Sequence, residues 1–252
     1  MHGSDGTLLV EGGASPGHLA SFVAELERQG RPPIVAIALT HWHWDHSFGS
    51  SALDVPVVAH ELTARELAVQ ASYDWSDEAL EERVRDGREL AFCADMIRVE
   101  LPDRRNLRIV VPSELLRDRR AIDLGGIEAV AEHVGGDHAA DSCVVHVPTD
   151  GTLFLGDCLY QRLHTPEPLL TVGGVRALVE RIRRFDAGHA IEGHADRVDD
   201  RHGHRARLDE LEQAADLVER HGRAALAAAG GDAELTELVG FLLVGEYGDV
   251  AA

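Results

Sequence analysis

LTHWHWDHSFGS, residues 39–50, places three histidines and one aspartate between positions 41 and 46, with a tryptophan on either side of His43. The stretch continues an apolar run, IVAIAL, whose short length and flanking prolines predict a buried strand. Residues two apart in an extended loop project to the same side, which predicts that His41 and His43 share one metal ion while Asp45 and His46 turn toward a second. Imidazole combined with carboxylate favours zinc, with iron or manganese as alternatives.

Short strands alternate with helices along the rest of the chain. Ser15 followed by Pro16 predicts the start of a helix that ends at Gly30. The change to period-two or continuous apolar runs after residue 107 predicts consecutive, antiparallel strands. Predicted strands are TLLV (7–10), VPVVAH (55–60), LRIVV (107–111), AIDL (121–124), IEAVAEHV (127–134), SCVVHV (142–147), TLFLG (152–156) and HAIEG (189–193); predicted helices include 172–185, 205–231 and 232–248. This order predicts sheet packed on sheet with helices outside.

The 252-residue chain has a formal net charge of −20, from 24 arginines and 44 acidic residues, and contains no lysine. So acidic a surface repels phosphate backbones and argues against nucleic acid as a partner. The run RIRR (181–184) could still hold a small anion, but a solvated helix face is the favoured interpretation. Three widely spaced cysteines do not suggest a disulfide framework, and we expect a cytoplasmic protein without a membrane partner. The first strand begins close to the start of the sequence, so either the N-terminal sheet is shortened or the true start lies upstream.

The HxHxDH pattern at 41–46 resembles the metallo-β-lactamase superfamily, whose members carry this motif in a loop after a strand. The resemblance implies an α/β fold, an αββα sandwich of two mixed β-sheets flanked by helices, with a helical insertion and C-terminal helices. We therefore predict a metallo-β-lactamase-like domain over residues 1–200, with the insertion at 61–105. A C-terminal helical extension, 201–252, is expected to pack on it.

Family members add a histidine, an aspartate and a final histidine downstream, and the resemblance places these at His138, Asp157 and His194. The family's usual Gly-His pair is interrupted here by Asp137, and His133 is the competing histidine. The implied centre holds two zinc ions per chain. His41, His43 and His138 are expected on the first, and Asp45, His46 and His194 on the second, with Asp157 between them.

The resemblance implies a metal-dependent hydrolase that uses a metal-bridging hydroxide to cleave an ester, thioester or lactone. Asp45 is expected to orient the hydroxide and pass its proton to the leaving group. Tyr160 matches a tyrosine of the lactonase branch that contacts the substrate carbonyl, which makes it a catalytic candidate, although packing is the favoured role. His164 is expected at the surface. Asp157, in place of the cysteine of the commonest β-lactamases, argues against β-lactam hydrolysis.

Other functions remain open. One is a mononuclear iron dioxygenase acting on a persulfide, and another is a non-catalytic metal-binding protein, besides the β-lactam hydrolase. We expect a small-molecule substrate, and self-association into a homodimer is left open.

Overall fold

The histidine motif follows the second strand of a four-stranded parallel sheet. The structure is a computed structural model that describes residues 1–250. The chain divides into two compact units, Met1–Ala131 and Glu132–Ala252. The first unit holds this sheet in the order β1-β2-β3-β4. Its strands are β1 (Thr7–Val10), β2 (Ile34–Ala38), β3 (Val57–His60) and β4 (Glu114–Leu116).

This sheet is wholly parallel, whereas a mixed sheet was expected. Parallel neighbours need a crossover connection rather than a tight turn, and helical segments lie between each pair of consecutive strands. The helices of this unit are α1 (Pro16–Arg28), α2 (Trp44–Ser47), α3 (Glu61–Gln70), α4 (Asp77–Arg85) and α5 (Ala91–Glu100), with a 3₁₀ turn at Phe48–Ala52. Helices α3 to α5 lie within the predicted insertion.

The start of α1 is the predicted one. Ser15 is the N-cap, its hydroxyl accepts the His18 N–H at 2.9 Å, and Pro16 occupies the first turn. The strand predicted at 107–111 is wrong, since these residues form no strand. Ile109 is buried in the core of this unit, which accounts for an apolar residue at that position without a strand. Pro112 follows them and has no N–H to donate to a ladder.

The second sheet is mixed, as predicted, and has the order β10-β9-β8-β7-β6-β5. Strands β7 and β8 are antiparallel across a tight turn, whereas β8 and β9 are parallel because helix α6 separates them in sequence. The strands are β5 (Arg119–Asp123), β6 (Glu128–His133), β7 (Cys143–Val147), β8 (Thr152–Gly156), β9 (His189–Glu192) and β10 (Asp199–Asp200).

The helices of the second unit surround a core of its own. They are α6 (Val172–Ile182), α7 (Arg201–His221), α8 (Ala225–Ala228) and α9 (Ala233–Tyr247). Leu208, Leu211 and Val218 of α7 are buried in this core with residues of α6 and α9. These positions of α7 are therefore part of the core of the second unit. The domain boundary at residue 200 stays a prediction. Within the described residues, no helix combines the length and apolarity that crossing a membrane requires.

Candidate metal centre

The first group of predicted ligands lies at the C-terminal edge of the parallel sheet. Strands β1 and β2 are neighbours, with Val10 opposite Ala38, so the residues that follow each strand emerge side by side. Glu11 follows β1, and its N–H donates to the Ala38 carbonyl at 2.9 Å. Its φ of 76° is the left-handed conformation, which a glutamate adopts rarely. The turn brings the Glu11 carboxylate to the segment that begins the histidine motif.

A chain of hydrogen bonds runs from Glu11 through Thr40 to His41. The Thr40 hydroxyl donates to the Glu11 carboxylate, and the Thr40 N–H donates to its second oxygen at 3.2 Å. Thr40 Oγ1 also lies 3.0 Å from His41 Nδ1. Since the hydroxyl proton goes to a carboxylate, which can only accept, Oγ1 must accept from His41 Nδ1–H. This assignment leaves His41 Nε2 as the ring's lone-pair donor for a metal ion.

The motif itself is more compact than the extended loop we expected, because Asp45 and His46 lie on the short helix α2. His41 Nε2 and His43 Nδ1 are 3.0 Å apart, so these two rings lie side by side; that they share one metal ion stays a prediction. The helical turn places His46 between two carboxylates, with Nδ1 3.3 Å from Glu11 Oε1 and Nε2 3.5 Å from Asp45 Oδ2. Donor atoms of Glu11, His41 and His46 all lie within 4.8 Å of one another.

Hydrogen bonds to the backbone carbonyls of the motif hold its conformation. The Ser47 hydroxyl lies 2.9 Å from the His43 carbonyl, and the Gly12 N–H donates to the His46 carbonyl at 2.7 Å. Gly49 is close-packed, since a Cβ there would lie 2.5 Å from the Ser15 carbonyl oxygen. Trp42 and Trp44, which separate the ligands, pack partly buried against the core of the first unit.

The second group of predicted ligands is built in the same way within the second unit. Strands β8 and β9 are parallel neighbours with Gly156 opposite Glu192, so Asp157 and His194 emerge together after them. Asp157 Oδ2 lies 3.2 Å from His194 Nε2 and 3.6 Å from His138 Nε2. Asp157 and His138 are buried, whereas the His194 side chain is 58% exposed.

His138, rather than His133, lies beside Asp157. His138 Nδ1 is 3.0 Å from the Gln161 carbonyl, which can only accept, so Nδ1 carries the proton and Nε2 has the lone pair that could bind a metal ion. His133 Nε2 instead lies 2.8 Å from the Ala140 carbonyl. Asp137, the residue that interrupts the expected Gly-His pair, has a structural contact. Its carboxylate accepts the N–H of Thr171, the N-cap of α6, at 2.7 Å.

Tyr160 holds the turn that carries His194. Its hydroxyl donates to the Gly193 carbonyl at 2.6 Å, and Gly193 N–H donates to the Gly156 carbonyl at 2.8 Å. His194 has a φ of 59°, a left-handed conformation that costs free energy for a residue with a Cβ. Burial, followed by the nearby carboxylates, raises the pKa of Tyr160 to about 12, so the hydroxyl keeps its proton. A role of Tyr160 as a substrate contact stays a prediction.

Two further side chains near the candidate site have no ligand role in the proposed centre. Cys158, next to Asp157, is buried in the core of the second unit, and burial raises the pKa of its thiol well above the usual value. It packs and keeps its proton. His164 is exposed.

The donor spacing within each group fits a metal ion. Two ligands of one tetrahedral zinc ion lie about 3.3–3.6 Å apart, given metal–ligand distances of about 2.0–2.2 Å. The donor pairs His41–His43 and Asp45–His46 are 3.0 and 3.5 Å apart. The two pairs around Asp157 are 3.2 and 3.6 Å apart. Imidazole and carboxylate donors are those that zinc, iron and manganese accept.

The family model of the metallo-β-lactamase superfamily matches residues 1–220. The chain belongs to the metallo-β-lactamase superfamily. Both the predicted resemblance and the predicted α/β fold class are thereby confirmed. Among solved structures, this superfamily member resembles a metallo-β-lactamase from Pontibacter korlensis, at 20% identity and a TM-score of 0.56 over 83% of each chain. It also resembles a metallo-β-lactamase from Hirschia baltica, at 20% identity and a TM-score of 0.54, covering 83% of this chain and 82% of the other. At this identity the likeness shows the fold alone. A comparison with curated proteins finds no significant match.

In this member of the superfamily, sequence reasoning missed Glu11 and Thr40. The available signal was the glutamate of TLLVEGG, an acidic residue directly after a predicted strand. Its relation to Thr40 depends on β1 and β2 being parallel neighbours, which periodicity does not reveal.

Proposed function

We propose that this superfamily member is a metal-dependent hydrolase of an ester, thioester or lactone, with two zinc ions per chain. The observation that carries the proposal is the close approach of Asp157 to His138 and His194, at 3.6 and 3.2 Å. A single carboxylate within reach of two imidazoles is suited to join two metal sites. The proposal requires that His41, His43, Asp45 and His46 hold the same pair of ions from the first unit.

Bound zinc ions would lower the pKa of a water molecule toward about 7, which yields a hydroxide nucleophile, and would polarise the scissile carbonyl. The chain's own groups have separate tasks. Thr40 and the Gln161 carbonyl hold His41 and His138 with their Nδ1 atoms protonated, so that both rings present Nε2. The Asp45 carboxylate, one-quarter exposed, can accept a proton from water and pass it to the departing group.

The chemistry of position 157 supports hydrolysis of oxygen and sulfur esters over β-lactams. The family resemblance places an aspartate there in the thioesterase, lactonase and nuclease branches, and cysteine in the commonest β-lactamases. Cys158, the adjacent thiol, is buried in the core. The Cys158 thiol therefore does not take the place of the Asp157 carboxylate as a candidate metal ligand.

Elemental analysis of the purified chain, paired with a substrate panel, tests the proposal. The panel contains an aryl ester, an acyl thioester, a γ-lactone and a chromogenic β-lactam. We expect two metal ions per chain and turnover of at least one of the first three at rates above that of the β-lactam. Verified occupancy by two ions without turnover of any of the three would overturn the proposal. One iron per chain with oxygen uptake on a persulfide would favour the dioxygenase instead.

A further inference from the structure

A cavity of about 360 Å³ lies in the second unit at the start of β9. The end of α6, the segment that leads into β9 and the first two turns of α7 form its walls. Its lining includes three arginines, one histidine and two apolar side chains: Arg183, Arg201, Arg205, His204, Phe185 and Leu208. None of its lining residues is acidic, although the whole chain carries a net charge of −20.

Carboxylates outside the lining hold two of the arginines in place. Arg183 Nη2 donates to Asp209 at 2.5 Å and to Glu212 at 2.7 Å, and Arg201 Nη1 donates to Asp186. These bonds use one nitrogen of each guanidinium, which has five N–H donors in a planar fork. The remaining donors can therefore serve a ligand while the carboxylates fix the orientation.

Arg205 adds a positive charge that no carboxylate holds by a direct bond. It is exposed, and it forms no hydrogen bond or salt bridge with any residue in the described part of the chain. It lies one helical turn after Arg201 on α7, so both side chains reach the same side of the helix.

His204 gives an independent indication of a ligand. It lines the cavity, is only 5% exposed, and its Nδ1 atom has no hydrogen-bond partner among the described residues. A buried polar atom left unsatisfied costs free energy, and a ligand that forms a hydrogen bond with it removes this cost. Burial lowers the pKa of His204, so the ring is neutral at neutral pH and still offers one N–H donor.

We propose that this cavity binds a phosphoryl oxyanion, either inorganic phosphate or the phosphate of a small organic molecule. The arginine forks match the geometry of phosphate oxygens. Phe185 and Leu208 offer an apolar wall to an organic group. The N-terminus of α7 is not the binding group, because the Asp200 carboxylate already caps it by accepting the Gly203 N–H at 2.8 Å. Binding therefore depends on the side chains of the cavity.

This site is separate from the proposed metal centre. The cavity lies before β9 and His194 follows it, so the strand sets them more than about 10 Å apart at roughly 3.3 Å per residue. Of the sequence run RIRR, Arg183 lines the cavity. Arg181 donates to the Val134 carbonyl and Arg184 lies 3.5 Å from Glu132. The solvated helix face expected from the sequence therefore describes only part of the run.

Titration of the purified full-length chain with inorganic phosphate and with phenyl phosphate tests the proposal. Calorimetry gives the Kd, and ¹H–¹⁵N spectra report the His204 ring. Arg205→Gln removes one charge at an exposed position that leaves the core intact. Arg220→Gln is the matched control, since Arg220 lies on the same helix and pairs with Asp216 at 2.7 Å.

We expect saturable binding of both ligands with a shift of the His204 resonances, and tighter binding of phenyl phosphate if the apolar wall takes part. Arg205→Gln should weaken binding about 10-fold or more, as expected for a lost charge-assisted hydrogen bond. Arg220→Gln should change the Kd by no more than about twofold. An equal Kd in the Arg205 variant, or unshifted His204 resonances on saturation, would place the anion outside this cavity and overturn the proposal. Absence of saturable binding would overturn it as well.

Discussion

Glu11→Gln replaces one oxygen by an amide nitrogen and disrupts the hydrogen bonds that orient His41. In the native chain, Glu11 Oε1 accepts from the Thr40 hydroxyl and Oε2 accepts from the Thr40 N–H. With the amide nitrogen at the Oε2 position, the N–H of the new amide and the N–H of Thr40 face each other as two donors. With the nitrogen at the Oε1 position, the Thr40 hydroxyl loses the oxygen that accepts its proton, and it can then donate to His41 Nδ1 instead of accepting from it. That reversal moves the ring proton to Nε2 and removes the metal donor.

Both orientations of the introduced amide therefore weaken metal binding through His41. Loss of such an outer-shell partner typically reduces metal affinity about 10- to 100-fold, or roughly 1.4–2.7 kcal/mol. Zinc affinity is measured by competition with a chromophoric chelator, with circular dichroism to verify folding. Thr40→Val should weaken binding similarly, whereas Thr40→Ser keeps the hydroxyl and should retain it. If folded Glu11→Gln bound zinc as tightly as the native chain, the proposed proton arrangement would be wrong.

Three other perturbations have defined outcomes. Asp157→Ala should lower metal content and hydrolysis together, while Asp118→Ala, at an exposed site, should change neither; unchanged metal content would show that Asp157 is not a ligand. Tyr160→Phe should loosen the turn that carries His194 and weaken metal binding up to about 10-fold, from one lost hydrogen bond. A loss of kcat/KM with unchanged metal affinity would instead indicate a substrate contact. Burial raises the pKa of Cys93 to about 12, so its thiolate fraction at pH 8 is about 10⁻⁴. Alkylation should be slow in the native chain, rise with pH and accelerate on unfolding; fast alkylation at pH 8 would contradict the burial.

The positions of the elements could be read from the sequence wherever local chemistry determines them. Ser15 and Pro16 specify the start of α1 through a cap and a fixed φ, independently of distant residues. The apolar run before the histidines specifies β2 in the same way. Residues 107–111 have a comparable composition but form no strand. Ile109 is buried in the core whereas Val111 is 44% exposed, and an apolar composition alone does not distinguish such a segment from a strand.

The sequence predicted the candidate site residues better than it predicted their spatial arrangement. The candidate ligands were identified from the histidine motif and from the family resemblance, as histidines and aspartates that follow strands. The structure places His41, His43, Asp45 and His46 in one unit. His138, Asp157 and His194 form the other group. The short helix α2 was not predicted, because four residues are too few to show periodicity. Glu11 was missed because its function depends on a register between two strands, which is a tertiary property.

The donor atoms lie close together even without a bound metal ion, and this spacing affects the stability of the protein. Because neighbouring imidazoles and carboxylates already lie about as far apart as ligands on one ion, uptake of a cation requires little reorganisation of the chain. Binding energy that is not used for rearrangement stabilises the native state relative to the denatured ensemble. For one site the gain is about 2.7 kcal/mol when free metal is 100 times its Kd. The melting temperature should accordingly rise with metal concentration. Removal of the metal by a chelator should lower the free energy of unfolding and increase the rate of proteolysis.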